Sequence, residues 1–266
     1  MKYTIIKTTV VNAKGLALAI EIFRPEGVGK YPTVLILHGF TGYKEENNLV
    51  DIAHKLATIG IVTVRFTASG FGDSEGSITA DYRFGSYRTD ADSVYAYIQK
   101  LDYVDPARIG VCGHSMGGKL SILFCADHPE VRAVCAISAP VHLLSTSFGE
   151  KLDEWKRLGY YEKVSGRDGE PIRVPYAYID EAEDLRHNVL QAAIRVKKTC
   201  ALVIAGANDQ TVAWESTKEI FDSLQGQKEW LLIDGMDHWY KKNPALLQIV
   251  HEPIIVFFEK YLSALP

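Results

Sequence analysis

Apolar and polar positions alternate through residues 3–11 and again through 16–24, a period of two that predicts a pair of half-buried strands. Asn12-Ala-Lys-Gly15 between them has hairpin turn chemistry. After this opening the rhythm changes. Residues 33–37, Thr-Val-Leu-Ile-Leu, form a continuous apolar run of strand length, and residues 48–59 place Leu49, Ile52, Ala53 and Leu56 at helical spacing, closed by Gly60. The same reading predicts strands at 61–66, 109–112, 131–137, 199–205 and 229–233. It predicts helices at 88–101, 117–126, 214–224 and 244–262, with Pro253 kinking or dividing the last. Apolar strands joined by helical crossovers imply an α/β fold: a mostly parallel sheet of about eight strands, flanked by helices on both faces. The opening hairpin adds antiparallel strands at one edge.

Residues 139–198 break this beat, far beyond the usual connection of about 4–6 residues. The segment is richer in charge and in aromatics: Trp155, Tyr160, Tyr161, Tyr176 and Tyr178. Gly166-Arg-Asp-Gly169 supplies a turn between two short strands, and Asp180-Glu-Ala-Glu-Asp184 reads as a solvated helix start. The expected organisation is a core of residues 1–138 and 199–266 with an inserted cap at 139–198. Each cap aromatic has two readings, the cap's own small core or the wall of a pocket. Trp155, Tyr160 and Tyr178, with His114 from the core, are the expected pocket residues.

Composition narrows the function classes. With 47% hydrophobic and 23% charged residues, the chain has ample material for a core. A net charge of −4 disfavours nucleic acid as a partner, since phosphate binding wants a basic face. The N-terminus alternates where a signal peptide would be continuously apolar, and no stretch approaches the roughly 18 apolar residues of a membrane helix. A cytoplasmic protein without membrane association is the expectation. Cys112, Cys125, Cys135 and Cys200 form no Cys-x-x-Cys pair and read as buried free thiols, so neither a disulfide nor a metal site is expected.

The chemistry is carried by Ile109-Gly-Val-Cys-Gly-His-Ser-Met-Gly-Gly118, in which Gly113-His-Ser115-Met-Gly117 lies between a strand and a helix. That placement describes a nucleophile elbow, a sharp turn that lifts the Ser115 hydroxyl above the sheet's C-terminal edge. The glycines are needed because the turn brings two backbones together, and the helix that follows points its free N–H groups at the site. A serine hydroxyl needs a base. Of eight histidines, His238 in Gly235-Met-Asp-His-Trp-Tyr240 follows the last strand and can reach Ser115. His54, His128 and His251 fall on or beside helices and read as surface or boundary residues, while His114 is turned away by the elbow. Asp209, after the strand at 199–205, is the acid that orients the imidazole. Asp234 and Asp237 compete for that role, but both lie too near His238 in sequence to approach its far ring nitrogen easily. The order Ser, Asp, His is the one expected for this fold. Leu37-His-Gly-Phe40 places backbone amides at the same edge, so the N–H groups of Phe40 and Met116 are the expected oxyanion hole.

At these residues the chain resembles the α/β-hydrolase superfamily. Leu37-His-Gly-Phe-Thr-Gly-Tyr-Lys-Glu-Glu46 and Gly113-His-Ser-Met-Gly-Gly118 are similar to the bacterial feruloyl (cinnamoyl) esterases, over about residues 31–139 and 198–238. The resemblance implies carboxylic-ester hydrolysis through an acyl-enzyme on Ser115, without a cofactor, and a cap hairpin over the acyl pocket at about residues 160–174. The chain departs from its relatives at Thr67-Ala-Ser-Gly-Phe-Gly-Asp-Ser74, where they often carry Asp or Tyr with Arg or Asn before Gly-x-Gly-x-Ser, so the local hydrogen bonding must differ. The expected partner is a small-molecule ester, with a homodimer as the assembly. The same triad could cleave a thioester, peptide, lactone, monoacylglycerol or carbon–carbon bond, and a non-catalytic ligand-binding relative is the reading from outside enzymes.

Overall fold

The computed structural model describes residues 1–142 and 149–263; part of the expected cap, residues 143–148, lies outside the described residues. Eight strands form one sheet in the order β1-β2-β4-β3-β5-β6-β9-β10. They are β1 (Tyr3–Val11), β2 (Ala17–Pro25), β3 (Tyr31–Leu37), β4 (Val62–Phe66), β5 (Val104–His114), β6 (Ala133–Ile137), β9 (Cys200–Gly206) and β10 (Lys228–Ile233). β1 and β2 pair antiparallel, β2 joins β4 antiparallel, and the pairings from β4 through β3, β5, β6 and β9 to β10 are parallel. The fold is that of an α/β-hydrolase.

Burial explains the periodicities. β1 sits at the edge and alternates, whereas β3, β4 and β6 are buried on both faces and therefore read as continuous apolar runs. Helices α2 (Phe84–Ile98), α3 (Met116–Asp127) and α7 (Trp214–Ser223) contribute to one core, while α1 (Asn47–Thr58) and α8 (Pro244–Ser263) close the other face. α2 begins a turn before the expected start, because Phe84 and Tyr87 are buried and outweigh the weak helix formers Gly85 and Ser86. β5 is longer than its apolar centre, since Val104 pairs with Tyr31 across a register shift. α8 runs unbroken through Pro253, so that residue does not divide it. His251 is not a surface residue. It is fully buried, with its Nδ1 2.6 Å from Asp51 Oδ2, and it ties α8 to α1.

Between β6 and β9 the described chain forms α4 (Gly149–Leu158), a hairpin of β7 (Tyr160–Val164) and β8 (Pro171–Pro175), α5 (Ala177–Glu183) and α6 (Val189–Arg195). The hairpin turn falls on the Gly-Arg-Asp-Gly stretch. Asp180 lies in the first turn of α5, and the acidic run continues past its end to Asp184, whose Oδ1 accepts from Arg186 N at 2.8 Å and caps the next turn. Lys119 Nζ donates to Ala182 O at 2.8 Å, and His142 Nδ1 lies 2.9 Å from Glu183 Oε2. Lys119 is itself buried within α3 and also donates to Val141 O, pinning the insertion to the helix below the elbow. Among the described residues no helix is long and apolar enough to cross a membrane, and no group of three or more His, Cys, Asp or Glu could hold a metal ion. The four cysteines are free thiols; Cys112, Cys125 and Cys135 are buried and Cys200 is half-buried.

Candidate active site

β4 lies on one side of β3 and β5 on the other, so the chain reverses its winding there, and a crevice opens beyond the carboxyl ends of these strands. Ser115 occupies this point between β5 and α3. Its backbone has φ 56° and ψ −120°, a region that L-residues rarely adopt. Ser115 N donates to Ile137 O at 2.8 Å and Lys119 N to Ser115 O at 3.0 Å, so β6 and α3 hold the turn from both sides. A Cβ on Gly117 would lie 2.6 Å from His38 O and closer still to Leu37 O, and one on Gly113 would overlap Gly117 O. Glycine at both positions is a requirement of close approach.

His238 and Asp209 come from the loops after β10 and β9. His238 Nε2 is 3.0 Å from Ser115 Oγ, and His238 Nδ1 is 2.8 Å from Asp209 Oδ2. Asp209 Oδ1 accepts from the Thr211 and Val212 amides at 2.9 and 2.8 Å, leaving Oδ2 aimed at the imidazole. The two loops are also joined by backbone bonds, Ala207 N to Ile233 O and Asn208 N to Met236 O, both at 3.0 Å. The order Asp209 Oδ2, His238, Ser115 Oγ and its distances are those a base-assisted serine uses. All three side chains belong to buried residues.

The loop after β3 borders the hydroxyl. A Cβ on Gly39 would sit 3.5 Å from Ser115 Cβ, which places the Gly39-Phe40 backbone beside the nucleophile. Met116 opens α3, so its N–H belongs to the first turn, which has no intrahelical acceptors. His38 locks this loop. Its Nε2 accepts from Ala68 N at 3.1 Å, which leaves the proton on Nδ1 to donate to Gly39 O at 2.8 Å, and Tyr87 Oη donates to His38 O at 3.0 Å. Thr41 N donates to Tyr82 Oη at 2.7 Å. Around Thr67–Ser74, Asp90 accepts from Ser69 N and Asn12 Nδ2, and Ser74 Oγ donates to Thr67 O.

Burial holds His38 neutral, lowering its pKa from the usual 6.5 to about 4. The unfolded chain therefore takes up a proton that the folded chain refuses, and the stability present at pH 7 is lost as the pH falls from about 6.5 towards 4. For this histidine alone the loss between pH 7 and pH 5 is about 2 kcal/mol. Buried His114 and His187, both also lowered, act in the same direction. Guanidinium denaturation at the two pH values checks this, with a smaller pH dependence expected for His38→Gln. An equal dependence in both proteins would rule His38 out as a source.

The cavity over Ser115 has a volume of about 250 Å³. Phe40, His114, Pro140, Tyr161, Val212 and Trp239 supply its apolar and aromatic wall, while Glu46, Lys163 and Lys241 bring charge. His114 lines this cavity, its ring 4.8 Å from that of His238, and its buried Nε2 has no hydrogen-bond partner among the described residues. The other three expected pocket residues do not line this cavity. Trp155 and Tyr178 are buried behind it, packing against Phe40 at ring distances of 6.3 and 4.9 Å, and Tyr178 stacks on Tyr82. Tyr160 faces the other side of the hairpin, under the Arg173 guanidinium. Strand parity gives the reason: Tyr161 and Lys163 share one face of β7, and Tyr160 lies on the opposite one.

The sequence model of the family described as serine aminopeptidase, S33 matches residues 30–167 of this chain. A protein of Escherichia coli described as an uncharacterized 31.7 kDa protein in the traX-finO intergenic region is 26% identical over 288 residues, covering 94% of this chain and 97% of that protein. The mitochondrial palmitoyl-protein thioesterase ABHD10 of Homo sapiens is 26% identical over 230 residues, covering 84% of this chain and 72% of that protein. Among solved structures, Est1E from Butyrivibrio proteoclasticus with ferulic acid bound superposes with a TM-score of 0.74 at 23% identity, covering 97% of this chain and 100% of that chain.

Proposed function

This chain belongs to the serine aminopeptidase S33 family within the α/β-hydrolases, and we propose that it is a serine carboxylic-ester hydrolase working through an acyl-enzyme on Ser115. The observation that carries the reading is the unbroken path from Asp209 through His238 to the Ser115 hydroxyl, with steps of 2.8 and 3.0 Å, on the wall of a half-enclosed cavity.

His238 Nε2 takes the hydroxyl proton as Ser115 Oγ bonds to the ester carbonyl carbon. Asp209 accepts a hydrogen bond from His238 Nδ1 and stabilises the imidazolium without taking its proton. The carbonyl oxygen, now an oxyanion, is met by the amides of Phe40 and Met116, each worth about 2.7–4 kcal/mol of transition-state stabilisation. Collapse breaks the carbon–oxygen bond to the alcohol, which leaves with the proton from His238. Water, deprotonated by the same nitrogen, then attacks the acyl carbon; the bond to Ser115 Oγ breaks, His238 returns its proton to that oxygen, and the carboxylic acid leaves.

The insertion acts as the cap of this site, since Tyr161 and Lys163 of its hairpin form part of the wall. A cavity of about 250 Å³ lies at the small end of ligand sites, which run from roughly 300 to 1,000 Å³, and it favours a short or planar acyl group. Phe40, Tyr161 and Trp239 offer aromatic surface to a feruloyl or cinnamoyl ring. A thioester is the second reading, favoured by the likeness to the human thioesterase.

Hydrolysis of p-nitrophenyl esters of increasing chain length, methyl ferulate, and butyryl and palmitoyl thioesters tests both. Turnover of short esters and ferulate, falling with chain length, is expected. Turnover confined to thioesters would move the assignment to that bond. Labelling by a fluorophosphonate without turnover of any of them would overturn the esterase reading.

A further inference from the structure

The charges around the cavity are unequal. Lys241 Nζ lies 2.5 Å from Glu46 Oε1, and the pair is largely buried. Lys163 has no such partner. Its Nζ donates to Thr41 Oγ1 at 2.7 Å, and among the described residues no carboxylate lies within ion-pairing distance of it. Thr41 Oγ1 spends its own proton on Phe40 O at 2.7 Å, so the hydroxyl offers Lys163 a lone pair and no charge. Asp209 does not redress the balance, because its side chain is shut away from solvent and its oxygens are engaged by His238 and two amides. Two ammonium groups and one carboxylate thus leave one positive charge on the wall of a half-enclosed cavity whose other lining is largely apolar and aromatic. An ammonium in such a place retains donors for a ligand, and a charge-assisted hydrogen bond is strongest where water is thin.

We propose that Lys163, with Lys241 beside it, selects esters that carry a carboxylate or other single negative charge at the end remote from the scissile bond. The substrate class is then the half-ester of a dicarboxylic acid, or an ester of an alcohol bearing an acid group, in preference to a neutral ester of the same size. Lys163 is a specificity-determining residue in this role. It sits on the hairpin, two residues from Tyr161 on the same strand face, so the group that reads charge and the ring that packs against the substrate arrive together. The inference rests on the proposed function for the identity of the cavity as the substrate site.

The test separates binding from turnover. Calorimetry with Ser115→Ala protein compares phenyl hydrogen glutarate with phenyl methyl glutarate, and 4-carboxybenzyl butyrate with its methyl ester. These pairs put the charge on the acid side and on the alcohol side. The anionic member of at least one pair is expected to bind about tenfold tighter. Adding Lys163→Gln should bring that ratio close to one, while Lys163→Arg should keep it. Equal binding of anion and neutral ester in both pairs overturns the proposal, and so does a ratio that Lys163→Gln leaves unchanged. Turnover of the same compounds by the unmodified enzyme is measured in parallel. If none is hydrolysed while the anion preference persists, the esterase reading falls and the charge selectivity stands.

Discussion

Ser115→Ala is expected to lower kcat for p-nitrophenyl butyrate by about 10⁴- to 10⁶-fold while leaving the denaturation midpoint almost unchanged. The hydroxyl's bond to His238 is one of several that fix the imidazole, which is also held by Asp209 and by burial. The strained backbone at φ 56° is imposed by Ile137 O and the start of α3, not by the side chain, and alanine inherits it unaltered. Steady-state kinetics and guanidinium melts of both proteins measure the two halves of this statement. Residual activity above about one part in a hundred would mean that another group performs the attack, since no oxyanion hole alone supplies that much.

Gly117→Ala should do the reverse and strike the fold before the chemistry. The added methyl would enter the carbonyl oxygens of Leu37 and His38, which belong to the end of β3 and the loop that positions Phe40. Neither can yield. Leu37 is paired with Gly113 of β5 at the end of β3, and His38 is held by Ala68 and Tyr87. Overpacking of a well-filled core costs about 1–3 kcal/mol when side chains can shift, and a clash with backbone costs more. A loss of about 3 kcal/mol or more, or failure to accumulate as folded protein, is expected in denaturation experiments. Gly166→Ala is the control, because nothing lies within 4 Å of its Cβ position, and it should stay within about 0.5 kcal/mol of the parent. Equal stability of the two variants would show that the elbow does not need its close approach.

The sheet and the nucleophile's surroundings were legible because they obey strong local rules. β3, β4 and β6 are continuous apolar runs, and the elbow's glycines stand at fixed distances from Ser115. His238 and Asp209 could be chosen because each follows a strand at the correct end of the sheet. The pocket wall could not be read in the same way. Trp155 and Tyr178 are large aromatics in a segment without a dominant period, and their size suits a small core as well as it suits a ligand. Tyr160 and Tyr161 differ by a single position, and only the register of β7 against β8 decides which one faces Ser115. Alternation within the hairpin would have paired Tyr161 with Lys163 had the strand's facing been known. His251 was missed for a related reason: whether a histidine on a helix is exposed depends on what packs over it, and here α1 supplies Asp51.

The backbone bonds that tie the loop after β9 to the loop after β10 also set when in folding a working site can exist. The elbow is complete once β3, β5, β6 and α3 have condensed, which engages residues no further along than Ile137. Its partner nitrogen lies 123 residues away, in the loop after β10, the outermost and last strand of the sheet. Closing so long a loop is slow relative to the local contacts that precede it. The turn at Ser115 thus rests on contacts close in sequence, and its pairing with a base rests on a distant one. The contact between Ser115 and His238 therefore depends on the docking of the β9–β10 edge, whereas the turn that holds Ser115 does not.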